Sequence, residues 1–147
     1  MDSLNEGTAE SLLVPMNLAA LRVSVKETSM SNQFFGIAID CADAAAVANF
    51  WAEVLGRPID DNPTRENAIV LVDDAALHGP QLAFHQVPEP KTAKNRVHLD
   101  LIATEFEAET DRLVGLGAQK IRVIGQSGAR WTTFRDIEGN EFDLIAG

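Results

Sequence analysis

Tyrosine is absent from this chain, cysteine occurs once, and 12 Lys and Arg stand against 22 Asp and Glu over 147 residues, a formal charge of −10. Each shortage excludes something. Without tyrosine, no phenol serves as acid or base. With only Cys41, there is no intrachain disulfide, no Cys-rich zinc site and no CxxC redox pair, and a reducing cytoplasm is the natural compartment. The scarcity of cations disfavours nucleic acid and anionic membrane surfaces, both of which need clustered Lys and Arg. It leaves a cationic or neutral small molecule open as a partner. A membrane-spanning helix needs about twenty apolar residues. The most apolar early stretch, residues 11–25, is broken by Pro15, Asn17 and Arg22, and the acids Asp2, Glu6 and Glu10 before it are unlike the basic start of a secretory signal.

What is present is ordinary for a globular chain, with 46% hydrophobic and 23% charged residues, enough for one well-formed core. Residues 1–31 read differently from the rest. They are either an extension or an arm whose Leu12, Leu13, Leu18 and Leu21 dock on the domain or on a second subunit, since so many aliphatic side chains are costly to leave in water.

From residue 34 onward the chain reads as a duplication. Residues 34–41 alternate as a half-buried strand, Asp43 sits as an N-cap, and Val47, Phe50, Trp51, Val54 and Leu55 follow at helical spacing up to Gly56. Residues 68–72 and 81–87 are strands, with a short one near 57–59. The pattern restarts at 96–102, with a capping box at Thr104–Glu107 and a helix through Phe106, Leu113, Val114 and Leu116 to Gly117. Strands at 120–124, 131–135 and 141–146 follow. Leu55-Gly56 and Leu116-Gly117 lie 61 residues apart and mark equivalent points. The expected fold is α+β: two βαβββ modules (34–87 and 96–146, joined by a Pro-containing linker, 88–95) forming a curved eight-stranded mixed sheet around a cleft, helices outside.

Period-two alternation assigns faces. Phe142 and Leu144 pack, so Asp143 and Ile145 face the cleft. Val97, Leu99 and Leu101 pack, leaving His98 and Asp100 inward. Leu82 and Phe84 pack, opposite Ala83 and His85. Ile37 and Ile39 pack, opposite Gly36, Ala38 and Asp40. One surface thus gathers Asp40, His85, His98, Asp100 and Asp143. Trp131, beside the turn Gly125–Arg130, either stacks on a planar ligand or packs. Trp51 lies on the apolar helical stripe and reads as core, Cys41 as a buried inert thiol, and His78 as a solvated turn residue.

Three segments carry a family resemblance: Ala42-Asp43 through Phe50-Trp51 to Val54-Leu55-Gly56; residues 95–101, Asn-Arg-Val-His-Leu-Asp-Leu; and residues 136–144, where Asp136, Glu138, Gly139 and Asn140 are similar to a D-P-D/E-G-N turn, with Ile137 in place of proline. Together they resemble the vicinal oxygen chelate superfamily of glyoxalase I, extradiol dioxygenases and bleomycin-resistance proteins, over about residues 34–146. The resemblance implies metal ligands from the first and last strands of each copy. Copy two retains His98 and Asp143. Copy one offers Gly36 at its first position and, at its last, Ala83 or His85 depending on register. With His85, the set suits Fe, Mn, Ni or Zn, with Asp100 orienting His98. Without it, His98 and Asp100 belong to a polar cluster with Arg96 or Asp40.

Two readings of function follow. The first is a small-molecule-binding protein, sequestering a cationic or aromatic ligand as bleomycin-resistance relatives do, and pairing as a homodimer. The second is a metal-dependent lyase, isomerase or dioxygenase acting on a small vicinal-oxygen substrate.

Overall fold

A computed structural model describes residues 32, 34–72 and 79–147. The arm expected over residues 1–31, and His78, lie outside the described residues. Residues Phe34–Gly147 form one compact unit, in which two short helices and seven strands make two mixed sheets. In chain order these are β1 (Gly36–Cys41), α1 (Ala44–Leu55), β2 (Asn67–Val70), β3 (Gln81–Gln86), β4 (Leu99–Ala103), α2 (Phe106–Gly115), β5 (Gln119–Gln126), β6 (Ala129–Arg135) and β7 (Glu141–Ala146). The sheets run β1-β3-β2 and β4-β7-β6-β5. In each, the first strand of the copy pairs parallel with the last, and the remaining pairs are antiparallel. This is the duplicated α+β architecture that the sequence pattern implies. The strand expected near 57–59 is reduced to one bridge, Ile59 to Val70. Pro58 has no N–H to extend the ladder there.

Helix α1 begins as its sequence dictates. Asp43 accepts from the Ala46 amide at 3.0 Å, and Gly56 closes the helix at φ 61°. The helix buries Val47, Phe50, Trp51 and Val54. Its aromatic residues also reach the second sheet: the Trp51 and Phe50 rings meet the Phe142 ring edge-on at 5.0 and 6.3 Å, and Phe142 stacks on Phe134 at 5.4 Å. One core therefore joins the two copies. Arg112 of α2 adds to the join, donating to the Glu53 and Val54 carbonyls at 3.0 and 2.8 Å and so satisfying acceptors orphaned at the α1 C-terminus.

Two local expectations are corrected. The capping box at Thr104–Glu107 does not form: α2 starts after Glu105 with no side-chain cap, because the Glu107 carboxylate is engaged by Arg130 across the turn. Val97 does not pack; β4 starts at Leu99, and Val97 is exposed together with Phe34 and Phe35.

The turn 136–140 is the clasp between the copies. Asp136, 4% exposed, accepts from the amides of Glu138 and Asn140, from the Asn140 side chain and from the Trp51 indole. Glu138 reaches back to accept from the amides of Ala42 and Asp43 at 2.7 and 2.8 Å. The D-x-E-G-N signature is thus explained by its own contacts: two carboxylates fix the turn that leads into β7 and tie it to the start of α1.

Candidate functional site

Aligning the two N-cap residues, Asp43 and Glu105, matches Cys41 with Ala103, Asp40 with Ile102, Ala38 with Asp100 and Gly36 with His98. The parallel pairings carry the match onto the last strands. Ala38 lies opposite Ala83 and Asp40 opposite His85, while Asp100 lies opposite Asp143 and Ile102 opposite Ile145. Ala83 is therefore the counterpart of Asp143, and His85 stands one row further along its strand. The two register choices left open by the sequence reduce to one. Copy one presents Gly36 and Ala83 where copy two presents His98 and Asp143.

The buried pairs Phe142/Leu144 and Thr132/Phe134 leave the opposite face of the second sheet in three rows. The middle row runs Asp100, Asp143, Thr133 and Arg122 across β4, β7, β6 and β5. The next row, about 7 Å along the strands, runs Ile102, Ile145, Trp131 and Ile124. Trp131 therefore lies on the face of Asp143 with aliphatic neighbours on both sides.

On this face, His98, Asp100 and Asp143 each bring one ligand-capable atom within 4.8 Å of the others. The His98 Nδ1 sits 2.7 Å from Asp100 and 3.9 Å from Asp143. A carboxylate at one imidazole nitrogen fixes ring orientation and tautomer, the arrangement that prepares histidines for metals. An imidazole and two carboxylates suit a divalent cation of borderline hardness, such as Mn, Fe, Ni or Zn. His85 is not in this group. Its Nδ1 lies 2.8 Å from the Asn67 Oδ1, and Asp40 is its partner across the parallel pair. These three form a separate polar cluster on copy one. A groove of about 300 Å³ between β1 and β4, lined by Ala38, Asp40 and His98 among others, runs between the two faces.

Two other titratable groups are structural. Cys41 is buried, and its thiol donates to the His85 carbonyl at 3.4 Å. Burial, then the carboxylates of Glu138, Asp43, Asp40 and Asp136, push it up to about 11, which leaves no thiolate nucleophile near neutrality. Glu141 heads β7 and holds the linker, accepting from the Asn95 amide and from Lys91 at 3.0 Å each. Its burial raises the carboxyl, but these donors outweigh it and hold the group at about 2.

Because that value lies below the ordinary 4.5, the stabilisation is fully present above about pH 4.5 and is lost as pH falls towards 2. Glu141→Gln is expected to cost about 1–2 kcal/mol at pH 7 and to cost progressively less below pH 4. Urea melts of both proteins at pH 7, 4 and 3 measure this, and an equal gap at all three pH values contradicts it.

The repeated βα unit, followed by two strands in copy one and three in copy two with the first and last strands of each copy paired in parallel, is the architecture of the vicinal oxygen chelate superfamily. A family model described as a glyoxalase-like domain matches residues 36–145, and the chain belongs to that family. Solved structures share the fold at low identity. FosX, a fosfomycin resistance protein of Listeria monocytogenes, solved with Mn(II) and 1S,2S-dihydroxypropylphosphonic acid, gives a TM-score of 0.64 at 16% identity, covering 80% of this chain and 92% of that one. A glyoxalase-related enzyme from Fulvimarina pelagi gives 0.60 at 20%, covering 79% and 88%. Lactoylglutathione lyase from Agrobacterium tumefaciens gives 0.56 at 16%, covering 79% and 94%. No curated protein matches in sequence.

The sequence singles out Asp136 and Glu138 only as turn residues, not as the carboxylates that clasp the two copies, and it does not single out the cross-strand position of Arg122. The spacing Asp-x-Glu-x-Asn did signal the turn, but nothing in it names Trp51 or the Ala42 amide as partners.

Proposed function

We propose that the protein binds a small molecule on the copy-two face, holding it without turnover, with His98, Asp100 and Asp143 as an open-sided seat for a divalent cation. The observation that carries this reading is the inequality of the copies. Gly36 and Ala83 offer no donor at the two copy-one positions where metal enzymes of this superfamily take ligands. A cation held from one side exchanges readily and leaves several positions to water or ligand oxygens. Trp131 and the aliphatic row beside it supply the apolar floor for a planar ligand. Asp40 lines the copy-one side of the groove that also holds His98.

The second reading, a metal-dependent lyase, isomerase or dioxygenase on a vicinal-oxygen substrate, is favoured by the same trio, since a bound cation acts as a Lewis acid on substrate oxygens. Resistance by sequestration, a homodimeric assembly and a cytoplasmic location complete the proposal. The exposed Ile102 and Val97, 74% and 73% accessible, favour pairing with a second copy. No helix of the described residues is long and apolar enough to cross a membrane.

A panel of oxygen-bearing aromatic compounds, screened by tryptophan quenching with Mn(II) present, separates the readings. Bound compounds are expected to quench the wild type but not Trp131→Phe, and to be recovered chemically unchanged by mass spectrometry. Conversion of any bound compound that stops in His98→Ala overturns the sequestration reading in favour of the enzyme.

A further inference from the structure

In a chain of net charge −10, the basic residues are not evenly spread. Four of the 12 Lys and Arg, namely Lys91, Lys94, Arg122 and Arg135, line one groove of about 640 Å³ over β5, β6 and the linker. Only two acids, Glu138 and Glu141, share that lining, and both are occupied. Glu138 is spent on the Ala42 and Asp43 amides. Glu141 is spent on Lys91, Arg135 and the Asn95 amide. Among the described residues, Arg122 and Lys94 have no carboxylate within ion-pair distance. Two uncompensated cations facing one groove raise its potential well above that of the surrounding acidic surface.

The backbone supplies a second, independent observation. The β5–β6 register slips between Lys120 and Arg122, so that Lys120 pairs with Phe134 but Arg122 pairs with Thr133. Without this bulge, strict alternation sets Arg122 opposite the buried Thr132. With it, Arg122 turns onto the face of Thr133 and Asp143. Bulges re-aim side chains in this way next to binding sites. Thr133 lines the groove beside Arg122, and it is the cross-strand neighbour of Asp143.

We propose that this groove binds the oxyanion group of a small molecule, a carboxylate or a phosphate, with Arg122 as its principal anchor and Lys94 as the second charge. A guanidinium matches either group with two parallel N–H donors, and an ammonium adds a point charge. The site takes the opposite charge from the His98–Asp143 seat, and Arg122 lies two strands beyond Asp143 on the same face, so a single ligand can present oxygen donors to the cation and an acidic group to Arg122. The anion site itself needs no metal.

The test uses the full chain with EDTA present and inorganic phosphate or malonate as probe, titrated calorimetrically, with chloride at matched ionic strength as the control. Saturable binding of either oxyanion, absent with chloride, is expected. Arg122→Gln should weaken it roughly tenfold to a hundredfold, Arg122→Lys should give an intermediate affinity, and His98→Ala should leave it within about twofold. Circular dichroism melts confirm that each variant is folded. No binding beyond the chloride control, unchanged affinity in Arg122→Gln, or loss of binding in His98→Ala would each overturn the proposal. Because EDTA is present throughout, failure here leaves the cation seat untouched, and failure of the cation seat leaves this site standing.

Discussion

Asp136→Ala is expected to lower stability by about 3–5 kcal/mol, the largest effect of any single change away from the aromatic core. The carboxylate is 4% exposed and accepts from four donors: the Glu138 and Asn140 amides, the Asn140 side chain and the Trp51 indole. Removing it leaves these donors facing a small apolar gap, and each buried orphan costs about 1–3 kcal/mol before relaxation. The damage spreads because the turn positions Glu138, which holds the amides preceding α1. For a domain of this size the loss corresponds to a fall in Tm of roughly 10–25 °C. Asp136→Asn keeps one acceptor oxygen and turns an amide donor towards other donors, so it should fall between wild type and alanine. Thermal and urea melts decide this, and a loss under about 1 kcal/mol for the alanine variant contradicts the clasp.

His98→Ala is expected to weaken Zn(II) or Mn(II) binding by about a hundredfold or more while leaving stability within about 0.5 kcal/mol, since the imidazole is partly exposed immediately before β4. It removes the only nitrogen donor of the group and leaves two carboxylates. Asp143→Ala should have a comparable effect. Asp100→Asn should cost about tenfold, because it weakens one of the two carboxylate donors and loosens the His98 ring, whose Nδ1 lies 2.7 Å from the Asp100 oxygen. His85→Ala should change affinity by less than about twofold. Competition against a chelating dye measures all four. Equal losses in His85→Ala and His98→Ala would place the seat across both copies and refute the one-sided arrangement.

Much of this arrangement is legible in the sequence because local physics writes it there. Asp43 and Gly56 cap α1 as their residue types dictate. The alternation Leu82/Phe84 and Phe142/Leu144 assigns the buried and open faces correctly, as burial confirms. What the sequence does not carry is whatever depends on a partner distant along the chain. Whether Ala83 or His85 is the counterpart of Asp143 follows from which residue each pairs with in the parallel ladder, and period-two patterning is the same for both. The capping box at Thr104–Glu107 has the right spacing, but Arg130, 23 residues on, claims the glutamate. The bulge that re-aims Arg122 leaves no mark in the run Lys120–Val123, where polar and apolar residues alternate. The face of Trp131 was open because Thr132 and Thr133 are chemically alike; only the burial of Thr132 and Phe134 separates them.

The central claim is that one copy of the repeat alone carries the cation seat, and the chain's histidines report on it directly. There are three, His78, His85 and His98, giving three imidazole Cε1–H signals in a carbon-13 NMR spectrum, assignable by single alanine substitutions. On addition of one equivalent of Zn(II), the His98 signal is predicted to move while those of His85 and His78 stay in place. Joint movement of His85 and His98, or no movement of His98, would contradict the account.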